Sequence, residues 1–230
     1  MIESKGGYTM TSGKEDYLKA LYRLGEMHAT VTNKDLADEL SISPPSVSEM
    51  IVKLQREGYI EYTAYRGSRL TELGRQEALK IMRVHRLWEV FLTERLGYSW
   101  SDAHEEAHRL EHHTSAKLAR KLDEFLSHPS CCPHGSIIPD EDGTVQQRPD
   151  RLLSALCPGE TSRICRVTEE RELLDYLQAL GICIGMEIQL KKAEPYEGPL
   201  ILNTPQGELA ISYKAACQIY VDDAAAVQQG

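Results

Sequence analysis

The sequence predicts a mainly α chain that ends in a small β module. Up to about residue 126 the apolar residues recur mostly with helical period, interrupted by one short alternating stretch at 59–71. A connector rich in Pro and Gly follows, and beyond about residue 161 the apolar runs shorten to strand length between turn residues. With 230 residues there is room for one large or two small domains, each burying a core.

The elements follow in order. Residues 1–13 are rich in Gly and Ser and are expected to be loose. From Glu15, the spacing of Tyr17, Leu18, Leu21, Tyr22 and Leu24 predicts a first helix ending near Gly25–His28. Thr32 reads as the N-cap of a helix over Lys34–Leu40, with Asp35 supplying the acid of a capping box. After a turn at Ser41–Ser43, Pro44 and Pro45 open a third helix, where proline is tolerated. Val47, Met50, Ile51 and Leu54 give that helix a core face, and Gly58 stops it. Residues 59–65 and 69–71 alternate around a turn at Arg66–Ser68, which predicts a hairpin. A long helix then runs to about Leu96, and one or two more fill Ser101–Leu126. Short strands at Ser162–Val167, Met186–Lys191, Leu200–Asn203, Leu209–Ile211 and Gln218–Val221, with a helix at Glu169–Leu180, suggest a β-barrel of SH3-like size.

Helix, turn, Ser/Pro-started helix and hairpin form the pattern of a winged helix-turn-helix. Its second helix should present its N-terminal residues to base edges in the major groove. Ser43, Pro45, Ser46, Ser48 and Glu49 are placed there, with Lys53 nearer the phosphates. Arg66 and Arg69, read as the wing tip, would meet phosphates or the minor groove.

His104, His108, Glu111 and His112 fall at i, i+4, i+7 and i+8, a stripe about 100° wide on one helix. Imidazole nitrogens and carboxylate oxygens on one face are ligands for a divalent transition metal. His108, Glu111 and His112 could supply three ligands and Asp16 a fourth, if the first helix packs across them. His85 and Glu89 repeat the i, i+4 spacing on the preceding helix and, with His104, could form a second site. The first cluster is expected to be solvated without its metal. Cys132 and His134, in Cys131–Gly135, and the pair Glu169 and Glu172 also carry ligand atoms, but each alone is a weak signal.

Net charge is −9, yet residues 1–82 carry 11 Lys+Arg against 12 Asp+Glu, so the acidity lies almost wholly beyond the DNA reader. A cation bound there would relieve the repulsion. Six cysteines without a C-x-x-C pair argue for a reducing cytoplasm rather than a disulfide framework. The apolar runs fall short of the roughly 18 residues of a membrane span, so no membrane partner is expected, and no secretory leader is read at the start.

Taken together, these motifs resemble the iron- and manganese-dependent repressors of the DtxR/MntR family over nearly all of residues 14–223. The resemblance rests on Glu15-Asp16-Tyr17-Leu18, Ser46-Val47-Ser48, Tyr65-Arg66-Gly67 with Leu70-Thr71 and Gly74, and His85-Arg86-Leu87 with Glu89. His104-Glu105-Glu106-Ala107, Glu111-His112 and Cys132-Pro133-His134-Gly135 complete it. It implies a winged helix-turn-helix at 1–75, a helical dimerisation and metal-binding domain at 76–145, a linker at 146–160 and an SH3-like, FeoA-type domain at 161–230. It further implies a homodimer that binds a double-stranded DNA operator and represses metal-uptake genes. By position, the regulatory site would use Asp16, His108, Glu111 and His112, with His85 nearby. An ancillary site would use His85 or His104 with Glu89, then Cys132, His134 and Glu169, with Glu172 where iron-type members place a ligand.

Two departures shape the choice of metal. Iron-type members have Met and Cys where this chain has Asp16 and His108. Small manganese-type members share Asp16 but have Glu at 108 and at the position of Lys19, so a mononuclear regulatory site is expected here. Asp16 favours Mn²⁺, whereas His108 pulls toward Fe²⁺, Zn²⁺ or Co²⁺. The reading is a manganese-responsive repressor, with an iron-dependent repressor as the alternative. Two rivals come from other classes. His104-Glu105-Glu106-Ala107-His108 matches the His-Glu-x-x-His of zinc hydrolases. A winged-helix regulator sensing a small molecule would need no metal.

Overall fold

The computed structural model describes residues 10–26, 29–146 and 148–222. Most of the loose stretch expected at 1–13 lies outside these, but helix α1 (Ser12–Gly25) already includes its last two residues. The described residues divide into two compact units, one drawn from 10–85, 110–114 and 139–144, the other from 86–109, 115–138 and 145–222.

In the first unit, α1, α2 (Asn33–Leu40) and α3 (Pro44–Arg56) enclose a core of Tyr17, Leu18, Leu21, Leu36, Val47, Ile51 and Leu54. The expected capping box is present: the Asp35 amide donates to the Thr32 hydroxyl, and the Thr32 amide donates to the Asp35 carboxylate. Ser41 adopts the left-handed conformation after α2, and Ser43 stands at the N-cap position of α3 without a side-chain capping bond, with both prolines in the first turn. The hairpin of β1 (Ile60–Thr63) and β2 (Gly67–Leu70) pairs Thr63 with Gly67. Its turn therefore lies at Ala64–Arg66, earlier than the Arg66–Ser68 read from the sequence. The reason is Gly67, whose φ of +104° brings it against the Val31 backbone. There Ser68 and Val31 exchange backbone hydrogen bonds of 2.8 and 2.9 Å, so both residues are already on the returning strand.

Helix α4 (Glu72–Leu96) buries Ala78 in the first core, and the first unit consequently extends beyond residue 75. In the second unit, the later part of α4 packs with α6 (Ala116–Phe125) through Leu87, Val90, Leu122 and Leu126. Helix α5 (Trp100–Glu111) lies between them in sequence.

The C-terminal sheet is antiparallel, ordered β3 (Asp150–Leu152), β8 (Ile219–Asp222), β4 (Thr161–Val167), β5 (Glu187–Ala193), β6 (Leu200–Thr204) and β7 (Gly207–Ile211). Strand β4 pairs with β5 through residues 161–163 and with β8 through 164–167, with a register shift between Ile164 and Arg166. Such an irregularity bends a strand, and it lets one strand serve both layers of a small SH3-like fold. Helix α7 (Arg171–Ala179) contributes Leu173, Leu174 and Leu177 to the core. The short helix α8 (Tyr213–Ala216) leads into β8. Strand β3 falls inside the stretch expected to be a linker; three residues aligned with β8 gave too weak a pattern to be read as a strand.

Candidate metal centres and nucleic-acid face

Helix α3 buries Val47, Ile51 and Leu54 and leaves Ser43, Pro45, Ser46, Ser48 and Glu49 exposed, with Lys53 half-buried at the margin. Three of the hydroxyls are engaged. Ser48 donates to the Pro44 carbonyl at 3.1 Å and accepts from Asn33, while the Ser43 and Ser46 hydroxyls lie 2.9 Å apart. Arg66 is exposed in the hairpin turn. Arg69 is not at the tip: it stands opposite Glu61 and pairs with it at 2.5 Å, a consequence of the earlier turn. The wing tip also holds Tyr65, fully exposed at φ +64°, which the sequence reading quoted in the family motif but did not place among the DNA contacts.

The first cluster forms where α1 meets the end of α5. Asp16 Oδ1 lies 3.2 Å from His112 Nε2, and Glu111 Oε1 lies 3.6 Å from the same nitrogen. All three residues offer ligand atoms within 4.8 Å of one another. His108 is exposed one turn earlier on α5, whereas His113 points to solvent. The Glu111 side chain is fully buried, contrary to the expected solvated cluster: Lys19 Nζ meets Oε1 at 2.6 Å and His85 Nδ1 meets Oε2 at 2.6 Å. Glu15, not foreseen, lies 2.6 Å from His112 Nδ1. The Glu15 and Lys19 contacts pair residues more than ninety positions apart, so no local spacing announces them.

A second cluster lies wholly in the second unit. Glu89, Cys132, His134 and Glu169 place ligand atoms within 4.8 Å of one another. Glu89 and His134 are fully buried, 3.3 Å apart, and His104 Nδ1 lies 2.8 Å from Glu89. The loop holding Cys132 and His134 is tightly tied. The Cys132 amide donates to Ser136, the Gly135 amide to Cys132, and the Val167 amide to the His134 carbonyl. Gly135, at φ +83°, abuts the Cys165 carbonyl, where a Cβ would clash. Burial alone would push the His134 imidazolium down, but the Glu89 carboxylate and Cys132 outweigh it and hold its pKa well above the ordinary value. Burial, with Glu89, raises the Cys132 thiol. The buried His134 Nε2 has no hydrogen-bond partner among the described residues. A buried imidazole nitrogen without a partner, beside a thiol and two carboxylates, is a donor set that fits a divalent ion.

The structure does not bring Glu172 into either cluster. It is exposed in the first turn of α7, lining a shallow depression with Tyr176 and Lys214. His104 and His108 do not share a cluster either, and Glu105 pairs with Arg171. The hydrolase-like spacing is therefore not assembled into one site.

Reader, wing and two ligand clusters define a class of protein, the winged-helix regulator equipped for metal. Residues 9–68 match the model of the iron dependent repressor N-terminal DNA binding domain. Residues 71–140 match its metal binding and dimerisation domain, and 151–223 match the FeoA domain. The iron-dependent repressor IdeR of Mycobacterium tuberculosis is 37% identical over 125 residues. That match spans about half the length of either protein, 54% of each. The diphtheria toxin repressor of Corynebacterium glutamicum is 32% identical over 222 residues, 92% of each chain. A solved manganese-dependent transcriptional repressor in complex with manganese superposes at a TM-score of 0.85 with 32% identity. It covers 91% of this chain and 99% of its own. The chain belongs to the diphtheria toxin repressor family of metal-dependent repressors, and these relatives are repressors rather than enzymes.

Proposed function

We propose that this protein is a metal-activated repressor that binds an operator in double-stranded DNA as a homodimer, with Mn²⁺ as effector. The observation that carries the reading is the position of α1. The helix bearing Asp16 also buries Tyr17, Leu18 and Leu21 in the core shared with the reading helix α3. An ion held by Asp16, Glu111 and His112, with His108 completing the set, would fix α1 and bias the reader it supports. Bound there, the ion supplies positive charge to the carboxylates. Glu89, Cys132, His134 and Glu169, with His104, form the ancillary site, and His85 serves the first site by holding Glu111.

In this reading Ser43, Pro45, Ser46, Ser48 and Glu49 face base edges, and Lys53 and Arg66 meet the backbone. The carboxylate oxygens of Asp16 and Glu111 favour Mn²⁺. Fe²⁺ is the second reading, supported by the imidazoles and by relatives named as iron-dependent; Zn²⁺ and Co²⁺ are expected to bind in vitro. Its place of action in this reading is the cytoplasm, where the operator would be met; among the described residues no helix is long and apolar enough to cross a membrane. The test is operator affinity at buffered free Mn²⁺, Fe²⁺, Zn²⁺ and Co²⁺ against chelated protein. Metal should tighten binding at least tenfold, and equal affinity with chelator would end the proposal.

A further inference from the structure

We propose that Lys19 is a tethered cation that competes with the metal for Glu111 and so sets the metal concentration to which the first site responds. This rests on the reading of that cluster as the regulatory site. Lys19 lies one turn beyond Asp16 on α1, at i, i+3, so one helix face carries both a ligand and a resident positive charge. Its ammonium lies 2.6 Å from Glu111 Oε1, the oxygen that faces His112 at 3.6 Å. The pair is secluded, with side-chain exposures of 12% for Lys19 and zero for Glu111. The other carboxylate oxygen is held by His85. Glu111 is thus the one member of the Asp16–Glu111–His112 group that is fully buried.

A buried carboxylate needs a counter-charge, and in the absence of metal the ammonium provides it. A divalent ion reaching Oε1 must either displace Lys19 or sit beside it, and like charges at that separation repel strongly where water is excluded. Both routes weaken binding relative to a site without the lysine. The same contact keeps the metal-free site assembled, because Glu111 remains oriented by Lys19 and His85.

The experiment is a Mn²⁺ titration of the full-length, metal-stripped protein in competition with a fluorescent chelator, with bound metal counted by elemental analysis. The binding step lost in His112→Ala identifies the first site. For that step, Lys19→Met and Lys19→Gln are expected to tighten affinity at least tenfold, while Lys19→Arg keeps the wild-type value. Lys19→Gln retains a hydrogen-bond donor toward Glu111 and decides the matter if Lys19→Met fails to fold. Unchanged or weaker affinity in the folded Met or Gln variant would overturn the inference and leave the regulatory site standing. If His112→Ala removes no binding step, the regulatory reading itself fails and Lys19 with it.

Discussion

Glu111 is a ligand candidate that also holds the Lys19 ammonium and the His85 imidazole, and this dual duty separates it from its neighbour His112. Glu111→Ala takes the carboxylate from both Lys19 and His85 in a secluded setting, which should cost roughly 3–5 kcal/mol of stability. His112→Ala removes an imidazole bridging Glu15 and Asp16 at a more open position and should cost about 1 kcal/mol. Both should abolish metal activation of operator binding. Urea denaturation of the two variants checks the difference; equal midpoints would contradict the role given to Glu111. Selectivity is argued at the same scale. Asp16→Met with His108→Cys replaces an oxygen and an imidazole with softer sulfur ligands. The double variant should respond less to Mn²⁺ relative to Fe²⁺ or Co²⁺ in anaerobic operator titrations. An unchanged ratio of activating concentrations would remove Asp16 from the ligand set.

Among the elements, the wing depends most sharply on a single residue. Gly67 adopts φ +104°, and a Cβ there would drive into the Val31 carbonyl and carbon. Gly58 also has positive φ, +82°, but a Cβ there meets open space. Gly58→Ala should therefore cost about 1 kcal/mol from backbone strain alone, and Gly67→Ala at least about 2 kcal/mol because it also undocks the hairpin. Thermal denaturation of the pair measures this, and a Gly67→Ala variant no less stable than Gly58→Ala would mean that the strand contact with Val31 contributes little. The capping box at Thr32 and the two prolines of α3 were readable because they act within four residues of themselves. The turn of the hairpin was misplaced because Val31, outside the hairpin, decides where the returning strand begins.

For the molecule as a whole, the second unit bears an apolar surface on α4 and α6. Phe125 is 61% exposed and Leu118 45%; the half-buried Phe91 ring tilts against Phe125 and meets Trp88 edge to face. Phe125 and Leu118, open on α6 beside half-buried aromatic rings of α4, make a surface suited to cover a second copy. Light scattering is expected to show a dimer for the wild type and a monomer for Phe125→Glu. A monomeric wild type would leave the homodimer without support, and a dimeric variant would place the interface elsewhere.

The sequence by itself determined the class of element at nearly every position, the reader with its prolines, and a ligand stripe on α5, since helical period and capping are local properties. It also pointed to Cys132, His134 and Glu169 through the family resemblance, though not to what they touch. Only the tertiary structure decided how these residues are grouped. It placed Glu169 with Glu89 and left Glu172 outside, turned Arg69 toward Glu61, and set Lys19 and His85 on a buried Glu111. The reason is physical: a side chain's partner across ninety residues is chosen by packing and by the need to neutralise buried charge, and neither leaves a period in the sequence.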